Sequence, residues 1–214
     1  MIFMNKKSAV FLDRDGVINQ MVYNPEFGFV DSPANPDQFC LLPEVPESIV
    51  RLNHLGLLVV VVTNQPGIAK GKFTARLLDA MTQKMEAEIA LSGGHLDGVY
   101  CCLHHPESVV DELKVKCNCR KPKPGLLLQA AQELNIDLSQ SYMVGDGITD
   151  IQAGDAVGTT TLFVSSRKCY VCDNLAENNV RPDFIVKDLP EAVEVINRLK
   201  HGLLVDAFRF ECKL

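Results

Sequence analysis

The chain has 214 residues, 47% hydrophobic and 22% charged, with 27 acidic against 21 basic side chains and a net charge of −6. That length suits one domain with a sizeable core, and the acidic balance argues against a broad basic face for nucleic acid. No run approaches the ~20 apolar residues a bilayer span needs, and no signal-type apolar region follows Met1 to Ser8, so a cytoplasmic protein without a membrane partner is expected.

In chain order, Ala9-Val10-Phe11-Leu12 reads as a buried strand, ending in Asp13-Arg14-Asp15-Gly16. Residues two apart in an extended segment share a side, so Asp13 and Asp15 are expected to converge while Arg14 points elsewhere. Carboxylates that close repel and call for a cation, a proton or a basic partner; an all-oxygen site suits Mg²⁺. Asn24 to Pro46 holds five of the eleven prolines and reads as a long irregular loop, of the kind that is usually functional or mobile. A helix over Val45–Leu55 should stop at Gly56, and Leu57–Val62 is the next strand, followed by Thr63-Asn64-Gln65. Thr74 to Leu91 reads as a helix with Thr74 as N-cap, then Gly98–Cys102 as a strand.

The stretch from Cys101 to Pro124 has no clear period and carries four cysteines and two histidines. Arg120-Lys121-Pro122 leads from it into a helix over Pro124–Leu134, with Pro124 expected at the first helical position. The strand Tyr142–Gly145 ends in Asp146, with Asp150 four residues on inside a helix over Ile148–Ala156. Strands over Thr160–Val164 and Asp183–Val186 and a helix over Leu189–Leu199 complete the pattern, and the tail His201 to Leu214 is apolar enough to pack on the body. This alternation predicts an α/β fold: a Rossmann-like three-layer sandwich with a mainly parallel sheet, in a single domain over residues 1–214.

Ligands of parallel sheets bind beyond the carboxyl ends of the strands. There this sequence gathers the aspartate pair, the Thr63 hydroxyl, Lys121 and Asp146. Phosphoryl transfer through an aspartyl-phosphate needs such a set: a nucleophilic carboxylate, a second acid for the leaving alcohol, and cations and hydroxyls for the equatorial oxygens.

Cys102-Leu103-His104 and Cys117-Asn118-Cys119 form a C-x-H…C-x-C set. Three thiolates and an imidazole with no open position make a structural zinc site, which would tie the loop at about 101–120 by its base. A one-residue slip would put Cys101 and His105 in place of Cys102 and His104; only one of two adjacent strand cysteines can face the metal. With eight cysteines in a reducing compartment, metal ligation or burial is expected over disulfides. Cys169 and Cys172 lack flanking ligands and read as incidental; Cys40 and Cys212 read as buried or surface thiols.

The chain resembles the haloacid dehalogenase-like phosphatase superfamily. The shared motifs are Asp13-Arg14-Asp15-Gly16-Val17, the strand ending in Thr63-Asn64, Lys121, and Gly145-Asp146-Gly147-Ile148-Thr149-Asp150. The resemblance implies Asp13 as nucleophile and Asp15 as acid/base. It implies Mg²⁺ on Asp13, the Asp15 carbonyl and Asp146, and Thr63 and Lys121 on the phosphoryl group. Asp150 would be an outer-sphere metal partner or a positioning residue. With the cysteine loop, Val62-Thr63-Asn64-Gln65 and Cys119-Arg120-Lys121-Pro122, the chain looks like the heptose 1,7-bisphosphate phosphatases and the related histidinol-phosphate phosphatases, with a small zinc loop instead of a large cap. That resemblance implies zinc on Cys102, His104, Cys117 and Cys119, and substrate contacts from Asn19, Tyr23, Asn64, Gln65 and Arg120. The activity implied is Mg²⁺-dependent removal of the 7-phosphate of a heptose 1,7-bisphosphate by a monomer. A histidinol-phosphate or other small-metabolite phosphatase is the alternative. A non-catalytic, zinc-stapled module that binds phosphorylated ligands is the reading from another class.

Overall fold

The computed structural model describes residues 6–26, 28–165, 174–203 and 205. Cys169, Cys172, Cys212 and most of the tail lie outside the described residues. The described residues include eight strands and five α-helices of eight or more residues. The strands are β1 (Ala9–Leu12), β2 (Val22–Asn24), β3 (Phe29–Asp31), β4 (Leu58–Asn64), β5 (Gly98–Cys102), β6 (Tyr142–Gly145), β7 (Thr160–Val164) and β8 (Phe184–Val186). The helices are α1 (Val45–His54), α2 (Ala75–Leu91), α3 (Gly125–Glu133), α4 (Ile148–Asp155) and α5 (Leu189–Lys200).

Six strands form one parallel sheet in the order β5-β4-β1-β6-β7-β8, while β2 and β3 pair antiparallel by themselves. Side-chain alternation divides the core. Val10, Leu12, Val59 and Val61 pack on the side of α1, α2 and α5; Ala9, Phe11, Val60 and Val62 pack on the side of α3 and Ala153 of α4. Both faces of β1 are buried, which is why its sequence is uniformly apolar. Val10, Phe11 and Leu12 each contribute about 1.5–3 kcal/mol on burial. The three-layer α/β architecture is therefore as the sequence predicts. No helix among the described residues is long and apolar enough to cross a membrane.

The chain builds β4 and β5 to one side of β1, then returns to lay β6 on its other side. The order reverses there, and a ligand crevice opens at the carboxyl ends of β1 and β6.

Three expectations need correction. Strand β4 runs through Thr63 and Asn64, because these pair with Cys101 and Cys102 of β5. Pro124 is the N-cap of α3 and not its first residue. The stretch from Asn24 to Pro46 is not simply irregular: β2 and β3 make a hairpin from Val22 to Asp31. Beyond it, Lys84 of α2 donates to the carbonyls of Pro36 and Phe39 at 2.8 Å each, and Phe39 is 1% exposed. Period-2 alternation is too short in β2 and β3 to be read, and the anchoring lysine is remote in sequence. Thr74 caps α2 as expected, its hydroxyl accepting from Leu77 N–H, and Gly56 follows α1 with φ +71°.

Candidate active site

Asp13 follows β1 directly, its N–H bonded to the Val144 carbonyl of β6 at 3.0 Å, so the crevice between these strands fixes its backbone. Its carboxylate lies 2.9 Å from Lys121 Nζ. Lys121 is almost wholly buried and also meets Asp150 at 2.6 Å and the Val62 carbonyl at 2.7 Å. Burial alone would lower its pKa, but Asp13 and Asp150 outweigh that and push it up to about 12. The lysine is a fixed positive charge at the floor of the crevice.

Asp13, Asp146 and Asp150 each offer an oxygen within 4.8 Å of the others. Asp146 is exposed by surface area, yet its carboxylate is largely surrounded by protein. That surrounding, then Asp13 and Asp150, raise it to about 7. Burial, then Asp13, raises Asp150 to about 6 against the opposing pull of Lys121. Oxygen donors crowded enough to hold protons near neutrality fit a divalent, oxygen-preferring cation such as Mg²⁺. Asp150 Oδ2 also accepts from Gly147 N–H at 2.9 Å, closing the first turn of α4. Gly16 completes the wall: its φ is +91°, and a Cβ there would lie 2.0 Å from Asp146 Oδ2.

The Asp15 carboxylate is not part of this acidic group. Strand β1 ends at Leu12, and Arg14 to Asn19 form a tight turn, Ile18 and Asn19 N–H both bonding the Arg14 carbonyl. Alternation no longer holds in a turn, and Arg14 folds back onto Asp15 instead of pointing elsewhere. Its guanidinium Nη2 sits 3.2 Å from both Asp15 oxygens, and the side chain is 1% exposed beneath the Phe39 ring at 5.9 Å. Asn19 Nδ2 donates to Asp15 Oδ1 at 3.0 Å, and Gln65 Nε2 to Asp15 Oδ2 at 2.5 Å and to Thr63 Oγ1 at 3.0 Å. A metal role for Asp15 would thus fall to its carbonyl, as the family resemblance implies. Sequence reasoning missed Arg14 because its partner Phe39 lies 25 positions on.

The remaining expected substrate contacts are spread around the mouth. The Asn64 side chain clamps the Lys121 backbone from both sides, donating to its carbonyl at 3.1 Å and accepting from its N–H at 3.0 Å. Tyr23 stands 62% exposed on the β2–β3 hairpin. The hairpin is tied to the loop after β4 by the ion pair of Lys72 with Asp31. Arg120 reaches the His104 carbonyl at 3.5 Å and lines a cavity of about 320 Å³ with Pro106, Lys116 and Lys123.

Behind Arg120, Cys102, His104, Cys117 and Cys119 bring three Sγ atoms and Nδ1 within 4.8 Å of one another, with His104 Nδ1 to Cys119 Sγ at 3.2 Å. Strand alternation decides the register left open by the sequence. Cys102 turns to the cluster, while Cys101, opposite Thr63, is influenced by Arg14, Asp15 and Lys121. Burial raises the Cys102 thiol; Cys117, despite burial, falls to about 6 because Cys119 and the Arg120 backbone hydrogen-bond to its sulfur. Thiols sharing protons this closely fit a tetrahedral zinc ion.

A family model described as HAD-hyrolase-like matches residues 118–192. The D-glycero-beta-D-manno-heptose-1,7-bisphosphate 7-phosphatase of Yersinia pestis is 40% identical over 191 residues, 87% of this chain and 95% of that protein. The protein of the same name in Escherichia coli K12 is 41% identical over 190 residues, 87% of this chain and 93% of its own length. Among solved structures, D,D-heptose 1.7-bisphosphate phosphatase from B. bronchiseptica, complexed with magnesium and phosphate, has a TM-score of 0.72 at 31% identity, covering 91% of this chain and 99% of that one. L-2-haloacid dehalogenase from Xanthobacter autotrophicus, 11% identical with a TM-score of 0.55, shares the fold. With likeness along most of its length, the chain belongs to the haloacid dehalogenase-like phosphatases, hydrolases of phosphoric monoesters, in the group that includes the heptose-bisphosphate 7-phosphatases.

Proposed function

We propose that the protein removes the 7-phosphate of a heptose 1,7-bisphosphate by way of an aspartyl-phosphate on Asp13. The observation that carries this reading is the pairing of Asp13 with the buried Lys121 beside Asp146 and Asp150 at the sheet edge. Asp13 would attack phosphorus while Asp15 gives its proton to the leaving sugar oxygen. A water would then attack the same phosphorus and yield its proton to Asp15, restoring the Asp13 carboxylate. Lys121 and Thr63 would hold the equatorial oxygens. Bound at Asp13, the Asp15 carbonyl and Asp146, Mg²⁺ would offset the repulsion between an anionic nucleophile and an anionic ester.

Zinc on Cys102, His104, Cys117 and Cys119 would be structural. Two of these ligands adjoin His105 and Arg120, so the metal would hold the peptide that presents Arg120 and Lys121. Arg120, Asn19, Tyr23, Asn64 and Gln65 are the residues we assign to contacting the substrate or holding the groups that do, and the names of the relatives favour a sugar bisphosphate over histidinol phosphate. The test is kcat/KM across heptose 1,7-bisphosphate, other sugar phosphates and histidinol phosphate, alongside trapping with beryllium fluoride. A preference for histidinol phosphate would displace the substrate; Asp13→Asn with a near-normal rate would displace the nucleophile.

A further inference from the structure

Asp15 is the most heavily partnered carboxylate in the site. Each of its oxygens receives two donors: Oδ1 from Arg14 and Asn19, and Oδ2 from Arg14 and Gln65. Arg14 and Asn19 sit within the turn that carries Asp15, whereas Gln65 comes from just beyond β4, the strand paired beside β1. Burying the guanidinium and the carboxylate together has a cost that their attraction repays poorly, so such a pair contributes little net stability. Arg14 Nε and Nη1 find no protein partner, and Asp15 is the one side chain that the guanidinium bonds among the described residues. Gln65 bridges Asp15 to Thr63, so the same amide sets the carboxylate against a hydroxyl expected on the phosphoryl group.

We propose that Arg14 is a positioning residue for Asp15, and that with Asn19 and Gln65 it forms a cradle orienting that carboxyl group toward the leaving oxygen. Asn19 and Gln65 then act through Asp15 and not by touching the sugar. The proposal rests on the reading of Asp15 as acid/base. In the step concerned, the Asp13–phosphorus bond forms, the phosphorus–oxygen bond to the leaving group breaks, and the Asp15 proton moves to that oxygen. Misplacing Asp15 therefore harms esters whose leaving group needs a proton and spares those whose leaving group does not.

The experiment measures kcat/KM, which reports the first transfer alone, for benzyl phosphate and p-nitrophenyl phosphate with Mg²⁺ in the wild type and four variants. Asp15→Asn is the control and should lose roughly 10²–10⁴-fold on benzyl phosphate and far less on p-nitrophenyl phosphate. Arg14→Gln should lose roughly 10²-fold on benzyl phosphate and under about tenfold on p-nitrophenyl phosphate. Gln65→Met, which keeps the volume without the donor, should show the same asymmetry in weaker form, and Arg14→Lys should recover part of the loss. If Arg14→Gln does not fold, Gln65→Met and Arg14→Lys decide. Equal losses on both esters in these variants, or a change confined to KM, overturn the cradle while Asp15→Asn keeps its asymmetry. An Asp15→Asn variant without asymmetry overturns the acid role itself.

Discussion

Replacing Lys121 by Met tests the electrostatic floor of the site. The stem volume is conserved, while the charge and its contacts to Asp13, Asp150 and the Val62 carbonyl are lost. Removing one partner from a buried ion pair costs about 3–5 kcal/mol. Asp150 softens this, because its carboxyl already titrates near 6 with the lysine present and rises further without it. At pH 7.5, without added Mg²⁺, the loss should lie near the lower end, about 3 kcal/mol. A raised carboxyl pKa in the native state means that the native state binds the extra proton as pH falls through that value, so the loss should shrink at pH 5.5. Adding Asp150→Asn should also recover stability, with a coupling of about 0.5–3 kcal/mol. Urea unfolding followed by circular dichroism gives all three values. A loss under about 1 kcal/mol, a loss that grows on acidification, or no recovery in the double variant would refute the account. Phosphatase activity should be absent from both variants.

Mg²⁺ should stabilise the wild type by relieving the acidic crowd, by about 2.7 kcal/mol at a hundredfold excess over Kd; Asp146→Asn should abolish that shift in a thermal melt. Cys119→Ser should lose zinc by metal analysis and lower Tm, with activity falling as Arg120 and Lys121 lose their anchor. Protein purified without chelator and found free of zinc would contradict that role. Gly16→Ala places a Cβ against Asp146 at φ +91° and should cost about 1–3 kcal/mol of strain, with a clear drop in Mg²⁺ affinity by titration calorimetry. Asn64→Ala removes both clamps on the Lys121 backbone and should cost about 1–3 kcal/mol, with kcat reduced more than KM is raised.

Local pattern carried much of the architecture. Ala9–Leu12 and Tyr142–Gly145 are strands at the positions their apolar runs indicate, because strands buried on both faces leave an unbroken hydrophobic signature; Gly98–Cys102 and Thr160–Val164 keep the expected bounds too, though neither is buried throughout. The β2–β3 hairpin was illegible: three-residue strands leave no period, and Tyr23, Phe29 and Val30 are exposed, so no buried face marks them. The acids beyond β1 and β6 were legible as chemistry, since polar groups directly after buried strands have few structural reasons to be there.

By itself the sequence determined the reaction class, the parallel sheet and the residue types that meet at its carboxyl edge. It also supplied the candidate zinc donors, though not which of the neighbours Cys101 and Cys102, or His104 and His105, turns inward. Only the tertiary structure decided that Arg14 folds back onto Asp15 against the Phe39 ring, and that Asn19 and Gln65 bond that carboxylate. The reason is physical: type and spacing are local properties, whereas partnership depends on where a turn leaves the strand and on which remote side chain closes over it.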